Sequence, residues 1–127
     1  MRKWVTVVVL AHLVIAMIHG VAHVNARVPL STAANLFVYV VILAGPLAGL
    51  VLTWPVPRVG AALVAMTMAG AFVFGFLNHF VFDSPDHFAH VDLQWRSVFA
   101  TTAVLLALTE ALGFALAVQL LRERRLS

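Results

Sequence analysis

The stretch WVTVVVLAHLVIAMIHGVAHV, residues 4–24, decides the fold of this chain. It runs for 21 residues without an aspartate, glutamate, lysine or arginine. A helix of about 20 apolar residues crosses a hydrocarbon core of about 30 Å, and it satisfies its backbone polar groups internally, as lipid requires. The preceding Arg2 and Lys3 are also typical of a signal peptide, but this stretch is too long and carries histidines at its end. It therefore predicts a retained membrane-spanning helix.

Three more segments of this kind follow, at residues 35–54, 59–82 and 98–121. Of the 127 residues, 63% are hydrophobic and 10% are charged. A soluble domain carries about 25% charged residues, so this chain cannot cover a soluble surface. We expect an all-α, polytopic membrane protein, a single domain over residues 1–127 in which four transmembrane helices form a bundle in the lipid bilayer.

The basic residues predict the orientation of this bundle, because cytoplasmic loops carry an excess of lysine and arginine. Six of the eight fall on one side of the predicted spans, and two fall on the other. The six are Arg2, Lys3, Arg58, Arg122, Arg124 and Arg125, and the two are Arg27 and Arg96. Both termini are therefore expected in the cytoplasm, in a multi-pass protein of a bacterial-type inner (cytoplasmic) membrane. Because the basic residues form end clusters without interleaved aromatic residues, no nucleic-acid partner is expected.

Local signals predict details of the bundle. Gly45 and Gly49 form a pair of small residues that lets two helices approach closely. Pro46, inside the second segment, should kink it. In the connector 83–96, Asp83 or Ser84 before a proline resembles a helix N-cap. We therefore expect a short interfacial helix between the third and fourth transmembrane helices.

Five of the six histidines are predicted to reach the same membrane surface, opposite the termini. They are His19, His23, His79, His87 and His90. His19 and His23 are i,i+4 neighbours, a spacing that lets two histidines of one helix bind one ion. Asp83 and Asp86 add the carboxylates in the connector. Together these seven residues predict a metal site near the outer (periplasmic) face.

The types of ligand narrow the choice of cofactor. Imidazole with carboxylate suits zinc, copper, iron or manganese. The chain has no cysteine, which excludes thiolate and iron–sulfur sites. Five histidines exceed one tetrahedral site, so one or two transition metal ions are open. Haem, with His19 or His23 facing His79, is a less favoured alternative.

Glu110 and His12 form a second candidate site, with a predicted catalytic role. Glu110 is the only acidic residue predicted at membrane depth, and counting along both helices puts it about 16 Å, and His12 about 12 Å, from the same surface. They can meet if the first and last helices are neighbours. One interpretation is a structural polar pair. The other is a proton relay or second ligand site, extended by a polar path. That path would include Tyr39, Thr67, Asn78 and Thr102.

Three functions fit these observations. The first is a metal-dependent membrane enzyme, an oxidoreductase or hydrolase acting on an apolar or membrane-borne substrate. The second is a non-catalytic metal- or haem-binding, transport or electron-transfer component. The third is a small accessory subunit, in which the histidines contact a larger membrane complex or another copy of the chain. We expect an integral membrane metalloprotein, with enzyme and binder both open. Its sequence lacks the histidine boxes of membrane di-iron desaturases and any P-loop, dinucleotide or Ser-His-Asp pattern.

Overall fold

A computed structural model describes the backbone of residues 1–126 and the side chains of residues 1–123, so the side chains of Arg124 and Arg125 lie outside it. Its elements are α1 (Arg2–Asn25), α2 (Thr32–Phe37), a π-helical segment (Val38–Ala44), α3 (Gly45–Leu52), α4 (Pro57–Phe76), a second π-helical segment (Leu77–Val81), a 3₁₀ turn (Phe88–His90) and α5 (Leu93–Leu126). The elements from α2 to α3 form one continuous helix, the second span (Thr32–Leu52), and α4 with its π-helical end forms the third span (Pro57–Val81).

The prediction of an all-α chain with four membrane-length helices is confirmed. Within the part of the chain that the structure describes, four helical stretches are long and apolar enough to cross a membrane. Large apolar side chains also cover the outside of the bundle: Val14 is 61% exposed and Met66 is 72% exposed. Contiguous apolar surface of this kind is covered by lipid or by another protein. The composition, helix lengths and surface together indicate a membrane protein.

One half of the bundle, which we call the terminal half, carries the chain termini and the turn at residues 53–56. Here α4 packs between α3 and α5, while α1 packs along α5. The buried core of this half consists of Val5, Val9, Leu50, Ala61, Val64, Ala65, Met68, Ala117 and Leu120. Because these side chains fill the space between the helices, the terminal half is closed.

Small residues bring α3 and α4 together, as the Gly45 and Gly49 pair predicted. A Cβ atom on Gly49 would lie 2.8 Å from the backbone nitrogen of Val64, and one on Gly45 would overlap the side chain of Thr67. Gly60 is tighter still, because its Cβ would meet backbone atoms of the turn that follows α3. The two helices therefore cross at backbone contact distance.

Pro46 marks a change of helix type. It lies at the start of α3, directly after the π-helical segment Val38–Ala44. Proline has no N–H to donate, so it cannot bond the carbonyl oxygen of Ile42 four residues earlier. The Nε2 atom of His12 lies 3.1 Å from that oxygen. The Ile42 carbonyl of the second span thus accepts a hydrogen bond from His12 of α1.

The other half of the bundle, the loop half, carries the connectors 26–31 and 82–92. The predicted interfacial helix is present only as the 3₁₀ turn Phe88–His90, and it does not begin at Asp83 or Ser84. Residues 84–87 instead form a turn in which the His87 amide donates to the Ser84 carbonyl, at 3.0 Å. This turn directs Asp86 into the bundle, where its side chain is 7% exposed. Residues 84–87 therefore form a turn that buries the Asp86 carboxylate, and they do not form the first turn of the predicted helix.

Candidate metal centre

Three histidines meet in the loop half. His19 and His23 lie one turn apart on α1, and His79 lies in the π-helical end of the third span. One ligand nitrogen from each falls within 4.8 Å of the other two. A point therefore exists within about 2.8 Å of all three nitrogens (4.8 Å divided by √3). Metal–imidazole bonds are about 2.0–2.1 Å, so movements of less than about 1 Å would complete coordination. The predicted convergence of His19, His23 and His79 is confirmed.

The local structure explains why these rings face one another. The i,i+4 spacing places His19 and His23 on one face of α1. π-Helical turns inside α-helices are frequent at functional sites, and one rotates His79 toward α1. Phe99 of α5 is fully buried beneath the group, with its ring centroid 4.6 Å from that of His19, 4.9 Å from His23 and 5.2 Å from His79. All three imidazoles therefore pack against the same apolar side chain, that of Phe99.

Thr102 fixes the protonation of His19. The Thr102 hydroxyl donates its hydrogen to the backbone carbonyl of Val98, at 2.7 Å. Its oxygen lies 2.7 Å from Nδ1 of His19, and with the hydroxyl hydrogen directed to Val98 it accepts from that nitrogen. Nδ1 carries the proton, and Nε2 keeps its lone pair. Nε2 is buried and has no hydrogen-bond partner.

Asp86 provides the acceptor oxygens that face the other two histidines, His23 and His79. Its Oδ1 atom lies 3.0 Å from Nε2 of His23 and 3.3 Å from Nδ1 of His79. Its backbone carbonyl lies 3.1 Å from the same His79 nitrogen. Both carboxylate contacts are short but bent, so Oδ1 has no well-aligned hydrogen bond. Since carboxylate and carbonyl oxygens only accept, the facing nitrogens carry the protons, which leaves Nδ1 of His23 and Nε2 of His79 with lone pairs.

The charge on Asp86 supports this assignment. Burial alone would raise the pKa of the Asp86 carboxyl, but its contacts with His23 and His79 lower that pKa to about 2. Asp86 is therefore a buried anion between two imidazoles. Histidines that bind metals usually donate their other N–H to a carboxylate, a carbonyl or a similar acceptor. All three histidines have such an acceptor, and the free nitrogens of His19 and His23 are buried without a partner. This donor set fits a transition metal ion.

A cavity of about 530 Å³ adjoins the three histidines. Residues of all four spans line it, including His19 of α1, Tyr39 of the second span, His79 of the third span and Glu110 of α5. Apolar side chains form most of its wall, and its rim includes Met17 and Tyr39, which are 63% and 64% exposed. The deep part reaches Ile42 and Glu110. The cavity thus reaches the outer surface of the bundle beside Met17 of α1 and Tyr39 of the second span.

The structure does not bring His87, His90 and Asp83 into this group. His90 lies beside Asp83, with Nε2 3.3 Å from Oδ1; the His90 side chain is 48% exposed and that of Asp83 is 93% exposed. The His87 side chain caps the 3₁₀ turn by accepting from the Ala89 amide, at 3.2 Å. Among the described residues, the one group of three with ligand atoms this close is the histidine set on α1 and the third span. Of the seven predicted ligands, the structure thus assembles three histidines and Asp86.

His12 and Glu110 meet in the middle of the bundle. Nδ1 of His12 lies 3.8 Å from Oε1 of Glu110, and both side chains are buried. The wider polar path is not continuous, because Thr67 and Asn78 donate to carbonyls of their own helix, at 2.7 and 2.8 Å. Thr102, expected only on that path, instead bonds His19. The pair therefore lies below the three histidines as a separate site.

Two features of the site were absent from the sequence argument. Phe99 was not singled out, although it lies one turn before Thr102 on the same face of α5. The bond between Thr102 and His19 could have been expected from depth, since both lie within about three turns of the loop end of their helices. The chain matches no protein-family model, and no characterised protein or solved structure is significantly similar to it.

Replacing Asp86 with asparagine is expected to lower metal affinity about 10- to 100-fold, the usual effect of losing an acceptor behind a metal-binding histidine. The amide keeps the shape of the side chain but removes the negative charge that faces His23 and His79. Competition with a chromogenic chelator measures the change. Asp83→Asn is the matched control, because that carboxylate is 93% exposed and lies beside His90, outside the three-histidine group. Equal losses in both variants, or none in Asp86→Asn, would contradict the role of Asp86.

Proposed function

We propose that this protein is an integral membrane metalloprotein that holds one transition metal ion at His19, His23 and His79 and uses it on an apolar, membrane-borne molecule. One observation carries the proposal. Each imidazole has one nitrogen fixed by an acceptor on another element, and its second nitrogen is free to face its neighbours. Buried nitrogens without partners are costly, and a metal ion supplies the missing partner.

The number of histidines favours a catalytic ion over a purely structural one. Structural zinc sites are closed by four protein ligands, whereas catalytic sites use three and leave a position for water or substrate. Three histidines match the second pattern. An ion with an open position polarises a bound oxygen or generates a nucleophile from water. Zinc, copper, iron and manganese all accept such a set of ligands. The reaction class, hydrolytic or oxidative, follows from the ion.

The cavity favours a substrate that arrives from the lipid. Its walls are mainly apolar, and its rim includes the exposed Met17 of α1 and Tyr39 of the second span. Pockets of about 300–1,000 Å³ with few polar groups are typical of small-molecule sites. Toward the termini the packed core of the terminal half closes the space below it. A blind cavity beside the ion suits catalysis or capture better than passage of the ion across the membrane.

Cobalt(II) spectroscopy tests this proposal, because Co²⁺ takes zinc-like sites and its visible absorption reports coordination. We expect about one Co²⁺ per chain with the intense absorption of a four- or five-coordinate site. Octanohydroxamic acid, a chelating group on an apolar chain, should then change the spectrum at a much lower concentration than acetohydroxamic acid. Coordination closed to both compounds would instead support a non-catalytic metal carrier, and a Soret band in the purified protein would indicate haem.

A cavity-filling variant separates the two parts of the proposal. Ala107 lines the cavity on α5 and does not contact the histidines in any described interaction. Ala107→Phe should leave Co²⁺ binding unchanged and remove the preference for the long-chain hydroxamate. Metal binding with an unchanged chain-length preference would contradict the cavity as the substrate site. Loss of both would show that the variant disturbs the helix packing, and Ala107→Leu then provides the smaller change.

A further inference from the structure

His12 is held in one protonation state by the second span. Its Nε2 atom lies 3.1 Å from the carbonyl oxygen of Ile42, which Pro46, four residues later, cannot bond. A carbonyl only accepts, so Nε2 carries a proton. The other ring nitrogen, Nδ1, is buried and has no hydrogen-bond partner. His12 therefore presents a fixed basic nitrogen toward α5.

That nitrogen faces the carboxyl group of Glu110, with 3.8 Å between Nδ1 and Oε1. A bare carboxylate beside a lone pair would be an uncompensated buried charge, and two protons would leave the site with a net positive charge. A single proton, carried by one group or the other, avoids both costs. Because 3.8 Å exceeds hydrogen-bond length, the carboxyl is free to turn toward another partner.

The surroundings of Glu110 leave the cavity as the place for that partner. α1 contributes His12, and His79 at the end of the third span is close enough to interact electrostatically with Glu110. The second span contains no charged side chain, and its one titratable group is Tyr39 at the exposed rim. Glu110 and Ile42 both line the deep part of the cavity. The carboxyl is therefore the one acidic group that a molecule entering from the lipid would meet there, among the lining residues below Asp86.

We propose that Glu110 is a proton-exchange site for apolar molecules in the deep part of the cavity, and that His12 is the positioning base that takes up the Glu110 proton when the carboxyl releases it. The molecules it serves would carry a basic or weakly acidic heteroatom on an apolar body. The site does not require the metal ion, since neither residue belongs to the three-histidine group. Evidence against the proposed metal chemistry would therefore not be evidence against this proton-exchange site.

Dicyclohexylcarbodiimide, an apolar reagent that reacts with protonated carboxyl groups, probes this site. The carboxyl proton moves to a nitrogen of the reagent and the carboxylate oxygen bonds to its central carbon, so the reaction is a simple addition. We expect labelling of the lipid-reconstituted protein at Glu110, located by peptide mass spectrometry, in both metal-loaded and chelator-treated samples. Glu123, exposed near the end of α5, serves as the internal control and should stay unlabelled. Absence of the label on Glu110 in the wild-type protein would overturn the proposal.

A variant of His12 tests the pairing. His12→Gln keeps a side-chain donor for the Ile42 carbonyl but offers no ring nitrogen to share the proton. The proton then stays on Glu110, and labelling at a fixed pH should become several-fold faster. His87→Gln, which changes a histidine outside this site, should label at the wild-type rate. Equal rates in wild type and His12→Gln would overturn the role of His12. Labelling of the wild-type protein needs no variant, so the test survives if a variant fails to fold.

Discussion

Replacing His79 with alanine is expected to abolish stoichiometric binding of a transition metal ion. The three histidines are the described ligands that come together, and the remaining two lie on a single helix. Losing one of three ligands should cost more than the roughly 10- to 100-fold expected for a residue behind a ligand. Isothermal titration of the metal-free protein with Zn²⁺ or Co²⁺ measures the effect. His19→Ala and His23→Ala should each behave in the same way.

His90→Ala is the matched control for these three variants. His90 was predicted as a ligand from the same sequence pattern, but it lies at the surface beside Asp83. Its replacement should leave metal stoichiometry and affinity unchanged. A loss of binding in His90→Ala equal to that in His79→Ala would contradict a site centred on α1 and the third span. Circular dichroism and gel filtration in detergent check that each variant is folded.

Replacing Gly60 with alanine is expected to be the most destabilising single methyl addition in the terminal half. The new Cβ would lie 2.5 Å from the carbonyl carbon of Leu52 and 2.7 Å from the carbonyl oxygen of Gly49, and it would overlap the backbone nitrogen of Thr53. Backbone atoms cannot move aside by changing rotamer. Overpacking usually costs about 1–3 kcal/mol, and we expect a loss at or above the upper end of that range. Thermal or SDS-induced unfolding in detergent micelles measures it.

Gly20→Ala provides the control for this prediction. A Cβ on Gly20 would meet nothing within 4 Å, and the residue lies within α1. Alanine is favoured over glycine in a helix by up to about 1 kcal/mol, so this variant should be neutral or slightly more stable. Equal stability of Gly60→Ala and the wild-type protein would show that α3 and α4 do not cross as closely as described.

The fold could be predicted because the length of an apolar segment shows whether it can span a membrane. The stretch 4–24 contains no charged residue and is long enough to span a bilayer, so its helical state follows from the need to satisfy the backbone in lipid. Alternating directions of four helices then place the ends of the first and third helices at the same surface. This topology predicts that His19, His23 and His79 lie near one another, and that His12 lies at the depth of Glu110.

The connector could not be predicted in the same way, because its shape depends on a tertiary contact. Asp83 and Asp86 look equivalent in the sequence, and Pro85 between them resembles a helix start. In the structure Asp83 is 93% exposed, while Asp86 lies between two imidazoles inside the bundle. Pairing of the buried carboxylate with His23 and His79 outweighs the local preference for a helical turn. Arg96 supports the same shape, since its Nη2 atom donates to the carbonyls of Ala89 and Val91, at 2.9 and 3.0 Å.

The two π-helical segments could not be predicted from sequence patterns either. Hydrophobic periodicity does not distinguish an α-helix from one with a single inserted residue. One segment rotates His79 toward α1, and the other precedes Pro46 near the carbonyl that holds His12. Both adjustments occur at the residues that carry the proposed chemistry. The exact partners of the histidines, Thr102 and Asp86, follow from this geometry rather than from spacing.

X-ray absorption spectroscopy at the K-edge of the bound metal tests the central claim most directly. The protein should be purified without a histidine tag, so that its own histidines are the only ones present. We expect a first shell of three imidazole nitrogens at about 2.0–2.1 Å, with one or two further oxygen ligands and no sulfur. A protein that retains less than about 0.1 equivalent of every transition metal after reconstitution, or a bound ion with fewer than about three imidazoles, would contradict the account.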